Sequence, residues 1–276
     1  MAHTCCREWE GIRLMTDPNF LHAGDHVHLG PGVTGTRQTN PALDLHELPR
    51  IDAVLLSHYH ADHFDEKVEA SLRRSLPIIT TPHAKDHLTS KGEDESFSKV
   101  YDLDFFQSMY VDIRKSGTTH EATSKKVPAV KVTGMPGKHV PQGLLSKAND
   151  LLGAVPPTNG WMLELGYKEG DGSSTDSFKN GYRYDLTPTE IFRTKRLIPV
   201  NLSRIYISGD TLLVDELKEI PERYKGQNID LMLIHLGGTT IPSPKLPMLM
   251  VTMDAKQGIE LVRMINPDLT IPIHYE

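Results

Sequence analysis

The chain has 276 residues, 38 % of them hydrophobic, enough to bury the core of one sizeable α/β domain or two small ones, which excludes disorder as the default state. Thirty basic against 36 acidic residues leave a formal charge of −6, and the basic side chains are scattered, which argues against the concentrated positive surface that a nucleic-acid partner requires. No apolar run approaches the ~20 residues that cross a bilayer, and the opening MAHTCCREWEG lacks the apolar stretch of a signal peptide. A cytoplasmic protein without a transmembrane segment is expected. Cys5 and Cys6 are adjacent, a spacing that seldom reaches disulfide geometry.

In chain order, residues 11–16 alternate as a strand that stops at Asp17-Pro18, where proline cannot pair. Residues 19–50, punctuated by Gly24, Gly30, Gly32, Gly35 and several prolines, read as a long irregular loop, a length that is usually functional or mobile. Residues 51–57 form an almost continuous apolar run, the pattern of a strand buried on both faces. A helix is predicted over 65–75, with Val68 and Leu72 on one face, then a strand at 77–81 and a short helix at 84–88. Residues 99–101, 108–113 and 129–133 continue as strands, while 115–126 and 168–179, rich in Gly, Ser, Thr and charge, read as exposed turns or hairpin tips. Residues 204–208 and 230–235 are predicted buried strands, 213–224 and 255–265 amphipathic helices, and 269–273 a last strand. This alternation defines an α/β fold, with no internal repeat, and one domain over 1–276 is expected.

Fourteen histidines are the compositional feature that asks for a cause. The sequence Ser57-His58-Tyr59-His60-Ala61-Asp62-His63 begins just past the buried strand 51–57. In such a loop the side chains of 58, 60, 62 and 63 can converge on one point, and imidazole with carboxylate is the donor set that zinc accepts. The end of a buried strand is also where sites sit in α/β proteins. One cluster cannot close two metal shells, so further ligands are expected at later strand ends. His139, Asp210 and His274 stand there, although each alone has an ordinary alternative, a surface or core histidine or a helix-capping aspartate.

The order His-x-His-x-Asp-His, then His, Asp and His, resembles the metallo-β-lactamase superfamily at all seven positions and over nearly the whole chain. The resemblance implies a four-layer αββα sandwich. It also implies that His58, His60 and His139 hold one metal, that Asp62, His63 and His274 hold the other, and that Asp210 bridges them. Thr16-Asp17-Pro18, the stretch from Gly24 to His28, Ser208-Gly209-Asp210-Thr211 and Pro272-Ile273-His274-Tyr275 resemble the branch of N-acyl-phosphatidylethanolamine phospholipase D and the L-ascorbate-6-phosphate lactonases. In that branch a Gly-His-Ala-like strand precedes the Asp-Pro turn and the chain runs on past the last histidine. MAHTCCREWE stands in the first place here and two residues follow His274, so both ends are expected to be shortened, and an exposed edge strand would favour a homo-oligomer.

Two ions about 3.5–4 Å apart can supply hydroxide from a shared water near neutral pH. A bridging hydroxide attacking a carbonyl or phosphoryl group is therefore the expected nucleophile. By analogy with the family, Asp62 orients it as well as ligating. Asp17 is a candidate to steady a ligand, or equally a turn cap. His235, ending the strand 230–235, is a candidate proton donor or a histidine hydrogen-bonded under the rim. His26 and His28 in the long loop are candidate substrate contacts. The apolar stretch 141–157, with Leu151 and Leu152, is a candidate substrate wall or a helix packed on the sheet. The first functional expectation is a binuclear zinc hydrolase, iron or manganese being served by the same donors, that opens a small cyclic ester or amide as a lactonase or lactamase. The alternatives are a phosphodiesterase of lipid-like substrates and a non-catalytic metal-binding scaffold.

Overall fold

The structure is a computed structural model that describes residues 5–9, 11–30, 33–112, 126–141, 155–169, 178–180, 203–243 and 246–275. Its first half lays down one sheet. The strands β1 (Cys5–Trp9) and β2 (Ile12–Thr16) pair antiparallel, β3 (His26–Gly30) and β4 (Val33–Thr36) form a hairpin of their own, and β5 (Ala53–Leu55) follows. Then come α1 (Glu66–Ser71), β6 (Ile78–Thr80), α2 (Pro82–Thr89) and β7 (Val100–Asp102). The sheet order is β1-β2-β5-β6-β7, with β2, β5, β6 and β7 mutually parallel. Both helices start on built caps. Asp65 Oδ1 accepts the Val68 N–H at 2.9 Å, and Thr81 caps α2 with Pro82 at its first position, where a missing N–H costs nothing.

The second half builds a seven-stranded sheet from β8 (Ser108–Asp112), β9 (Lys126–Gly137), β10 (Thr158–Glu169), β11 (Phe178–Asn180), β12 (Arg204–Ile207), β13 (Leu231–His235) and β16 (Leu269–Ile273). Between these lie α3 (Glu219–Arg223), the hairpin β14 (Thr240–Ser243) with β15 (Leu246–Met250), and α4 (Ala255–Ile265). The order is β16-β13-β12-β10-β9-β8, with β11 on β10. The strands β12, β13 and β16 run parallel and the remainder antiparallel.

Period-two alternation sorts the apolar side chains into three cores. Leu14, Leu55, Ile79, Val132, Trp161, Leu163, Ile205, Ile207 and Leu233 fill the space between the sheets. Their neighbours Met15, Val54, Leu56 and Ile78 face outward onto Val68 of α1 and Ala84 and Leu88 of α2. On the other side Met162, Tyr206, Met232 and Ile234 face Leu217, Ile220, Leu261 and Ile265 under α3 and α4. The result is the expected four-layer αββα sandwich. Among the described residues no helix is long and apolar enough to cross a membrane.

Four sequence expectations change. The loop 19–50 contains the β3–β4 hairpin and a 3-10 turn, Leu45–Glu47. The predicted helix 65–75 ends at Ser71, where Leu72 turns extended. The predicted helix 213–224 is instead a 3-10 turn, Asp215–Lys218, followed by the short α3, because Pro221 has no N–H for the bond that would carry a helix across the junction. The strand predicted over 129–133 runs on to Gly137 through Met135-Pro136, drawn out by twelve-residue pairing with β10. β10 itself escaped the sequence reading: Trp161, Met162 and Leu163 are all buried, so its first half shows no polar alternation. The segment 115–126 lies outside the described residues except for Lys126 in β9; of the predicted exposed tip 168–179, the ends instead belong to the antiparallel strands β10 and β11, with Lys168 buried, and 170–177 lie outside the described residues.

Trp161, 1 % exposed between the sheets, sets a test. Trp161→Ala should lower the unfolding free energy by about 3–5 kcal/mol, read from the denaturant midpoint. A loss below about 1 kcal/mol would contradict an inter-sheet core centred on this ring.

Candidate metal centre

The parallel strands of both sheets bring their C-terminal ends to one rim. Immediately beyond β5, Ser57 opens the loop of His58, His60, Asp62 and His63; β9 leads to His139, β12 to Asp210 and β16 to His274, while His235 closes β13. The two sheets are tied beneath this rim by the Asn159 N–H, which donates to the Ser57 carbonyl at 3.0 Å. The turn into Asp210 depends on Gly209, whose φ is +62° and whose hypothetical Cβ would sit 2.4 Å from the Asn159 carbonyl oxygen, so only glycine fits. His274 holds a left-handed φ of +61° without being glycine, the kind of backbone strain that gathers at functional sites.

The side chains converge on the Asp210 carboxylate. Its Oδ2 lies 3.1 Å from His63 Nε2, 3.4 Å from His274 Nε2 and 3.9 Å from His139 Nε2. His58 Nε2 and His139 Nε2 face each other at 3.3 Å. Two groups of donors emerge, His58, His139 and Asp210, and Asp62, His63 and His274, each with ligand atoms within 4.8 Å of one another and every residue buried. His60 stands at the edge, 27 % exposed, with Nδ1 2.9 Å from Asp62 Oδ1, rather than inside the first trio. A second ring of contacts orients these donors. Asp17, itself buried with a φ of +38°, accepts the Ser57 N–H on Oδ1 at 2.7 Å and meets His63 Nδ1 with Oδ2 at 3.1 Å. Ser57 Oγ lies 2.9 Å from His58 Nδ1 and 3.3 Å from His63 Nδ1. The Val251 carbonyl is 2.8 Å from His139 Nδ1, fixing which nitrogen faces inward. The Lys138 N–H donates to Thr211 Oγ1 at 2.9 Å, and the Leu212 N–H to the Lys138 carbonyl at 2.8 Å, so the segments carrying His139 and Asp210 are locked together.

The electrostatics suit a cation. Burial holds His58 well below the ordinary histidine value, helped by His63 and His139; burial likewise lowers His139 and takes His274 to about 3. These rings stay neutral and keep a lone pair for a metal. Burial works to raise Asp210 and Asp62, but the surrounding histidines outweigh it and both carboxyls sit well below their usual range. His63 shows the opposite balance: burial would lower it, yet Asp210, Asp62 and Asp17 together push it well above its usual value. Two buried carboxylates beside three neutral imidazoles, with Asp210 Oδ1 lacking a hydrogen-bond partner among the described residues, are a donor set that divalent ions fit once a cation displaces the His63 proton.

The other candidates fall out as follows. His235 is buried beside the centre, its ring 5.6 Å from that of His274 and 6.4 Å from that of His63. His26 and His28 are exposed on β3, their Nδ1 atoms facing Thr36 and Thr34 across the hairpin, and β4 of that hairpin touches β14. Leu151 and Leu152 lie outside the described residues, while Pro141 of the same stretch lines a pocket with Leu212, Leu213, Val214 and Met250 and the polar Asp215 and Gln257. Sequence reasoning missed Ser57, the Val251 carbonyl and Asn19, whose Nδ2 donates to the Asp62 carbonyl at 2.8 Å. Their residue types carry no metal signal, and only position reveals them.

The chain matches the Beta-lactamase superfamily domain over residues 13–163, more than half its length, and belongs to that family. It is 32 % identical over 105 residues to a mitochondrial N-acyl-phosphatidylethanolamine-hydrolyzing phospholipase D of Saccharomyces cerevisiae, a match that takes in 37 % of this chain and only 21 % of that protein. It is 24 % identical over 264 residues to a UPF0173 metal-dependent hydrolase of Anaeromyxobacter sp., covering 95 % of this chain and 70 % of that one. Among solved structures its fold is similar to that of an isothiocyanate hydrolase from Delia radicum gut bacteria, with a TM-score of 0.64 at 16 % identity over 99 % of this chain and 82 % of the other. A possible metal-dependent hydrolase from Veillonella parvula gives 0.62 at 15 % identity, over 98 % and 81 %.

Asp17→Asn keeps an acceptor for the Ser57 N–H but replaces the charge facing His63. Zn2+ affinity should fall about 10–100-fold in a chelator competition, with the fold retained by circular dichroism. Unchanged affinity would show that Asp17 only shapes the turn.

Proposed function

We propose that the chain is a metal-dependent hydrolase with two divalent cations, zinc in the first instance. One ion would be held by His58 and His139 with His60 joining from the rim, the other by Asp62, His63 and His274, and Asp210 would serve both. The observation that carries this reading is the pair of buried trios meeting at one carboxylate. When bound, two such ions supply an activated water at neutral pH and an electrophile for the substrate's oxygen. The chain's own groups do the rest. Asp62, ionised in its buried setting, orients the reacting water and accepts its hydrogen bond. His235, with Ser208 Oγ 3.4 Å from its Nδ1, is placed to pass a proton to the leaving group. His60, part-exposed, is the ligand nearest to an arriving substrate.

For the substrate we favour a small cyclic ester or amide, so that the reaction is ring opening with both products on one molecule. A second reading is supported by the partial likeness to the yeast phospholipase D: hydrolysis of a phosphodiester on a lipid-like substrate, with the apolar side of the pocket, Pro141, Leu212, Leu213, Val214 and Met250, taking the apolar part and Asp215 and Gln257 lining the remainder. A non-catalytic scaffold fits less well, since a scaffold has no need to keep all seven donors, and here all seven are present.

A panel of lactones, lactams and bis-p-nitrophenyl phosphate, run with and without chelator, separates these readings. Turnover of a cyclic ester or amide that chelator abolishes, and that His60→Ala lowers by at least about 100-fold, is the expected result. Turnover of the phosphodiester alone would replace the ring-opening reading by the second. Chelator-insensitive turnover would contradict both.

A further inference from the structure

In the ligand loop, His58 and His60 turn toward the centre, their rings 5.6 Å apart. Tyr59 between them turns the other way, into the layer of α1 and α2. There its ring stacks on His87 at 5.1 Å with the planes 5° apart, and meets Phe64 at 6.4 Å. Its hydroxyl donates to Glu69 Oε2 of α1 at 2.9 Å and accepts from Lys91 Nζ, two residues beyond α2, at 2.8 Å. Lys91 and Glu69 are ion-paired directly, and the Lys91 carbonyl is in turn held by Ser96 Oγ at 2.8 Å. Any apolar ring would fill this volume in the outer core. A hydroxyl gripped by an anion on one helix and a cation after the other adds what apolar packing lacks, a fixed direction. Both charged partners are partly shielded, with side chains 12 % and 28 % exposed for Glu69 and Lys91, so solvent does not dissolve the arrangement. Ligand geometry has a tolerance of about half an ångström before function suffers, and Tyr59 is covalently adjacent to one inward-facing histidine on each side.

We infer that Tyr59 is a positioning residue for the metal loop: its hydroxyl, held by Glu69 and Lys91, fixes His58 and His60 from the far side of the first sheet. The inference rests on the metal-centre reading above and extends it to three residues, Tyr59, Glu69 and Lys91, that are not themselves metal donors in that reading. It makes α1 and α2 part of the site's support, so the helical layer on that side determines how tightly the loop closes on a cation.

The experiment compares metal-free wild type, Tyr59→Phe, Lys91→Met, Lys91→Arg and the Tyr59→Phe/Lys91→Met double variant. Zn2+ affinity is measured by chelator competition, donor geometry by the visible absorption of the Co2+-loaded protein, and metal-free stability by thermal unfolding. Tyr59→Phe and Lys91→Met should each weaken Zn2+ binding about tenfold and alter the Co2+ spectrum. The double variant should be no worse than the worse single one, as expected of one shared interaction. Lys91→Arg should recover most of the loss, and the metal-free unfolding midpoints should stay close to wild type. Should Tyr59→Phe bind Zn2+ within about twofold of wild type with an unchanged Co2+ spectrum, or should the losses merely track metal-free stability, the inference is overturned while the metal centre stands. A wild type that binds no metal would overturn both.

Discussion

A carboxylate removed from water must be matched by charge or by donors, or the fold loses several kcal/mol. Asp210 is 3 % exposed, and the rim of this protein is organised around satisfying it. Three imidazole nitrogens from separate parts of the chain gather within 3.1–3.9 Å of Oδ2, yet His139 and His274 are held in their neutral form. Only His63, pushed well above its usual value by Asp210, Asp62 and Asp17, offers the carboxylate charge. A cation taking the place of the His63 proton would engage every one of these donors, which is why the cluster makes better physical sense as a metal-binding centre than as a stabilising device for the bare fold.

The centre exists only when the two sheets are packed. His58, His60, Asp62 and His63 come from the first sheet, His139, Asp210 and His274 from the second. The inter-sheet core around Trp161 and Leu163 and the bond from Asn159 to Ser57 set the distance between the halves, and within the second sheet Gly209 lets the turn into Asp210 lie against Asn159 without a Cβ in the way. Donor orientation is then trimmed from outside, by Asp17 on His63 and by the Val251 carbonyl at His139. This is the division of labour expected of a preorganised site, rigid elements for position and surrounding contacts for direction.

Where a residue's type and its distance along the chain from a buried strand both carry meaning, the sequence was legible. The histidine cluster after residues 51–57, the single donors at later strand ends and the amphipathic pattern of α4, whose bounds at Ala255–Ile265 coincide with the expectation, were readable for that reason. The twelve-residue β10 was not, because burial on both faces erases the period-two pattern. The β3–β4 hairpin was hidden among glycines that read as loop, and its exposed His26 and His28 turned out to face threonines of their own hairpin. Ser57, Asn19 and the Val251 carbonyl have no compositional signature at all. Tyr59 was visible within the motif, but which way it points is settled by Glu69 and Lys91, residues that only the folded chain brings to it.

The most direct test of the central claim is anomalous X-ray diffraction at the zinc edge from crystals of the Zn2+-loaded protein. Two peaks about 3.5–4 Å apart, on either side of the Asp210 carboxylate, are the expected result. No anomalous density within coordinating distance of Asp210, with His58, His63 and His274 still packed around an ion-free carboxylate, would contradict it.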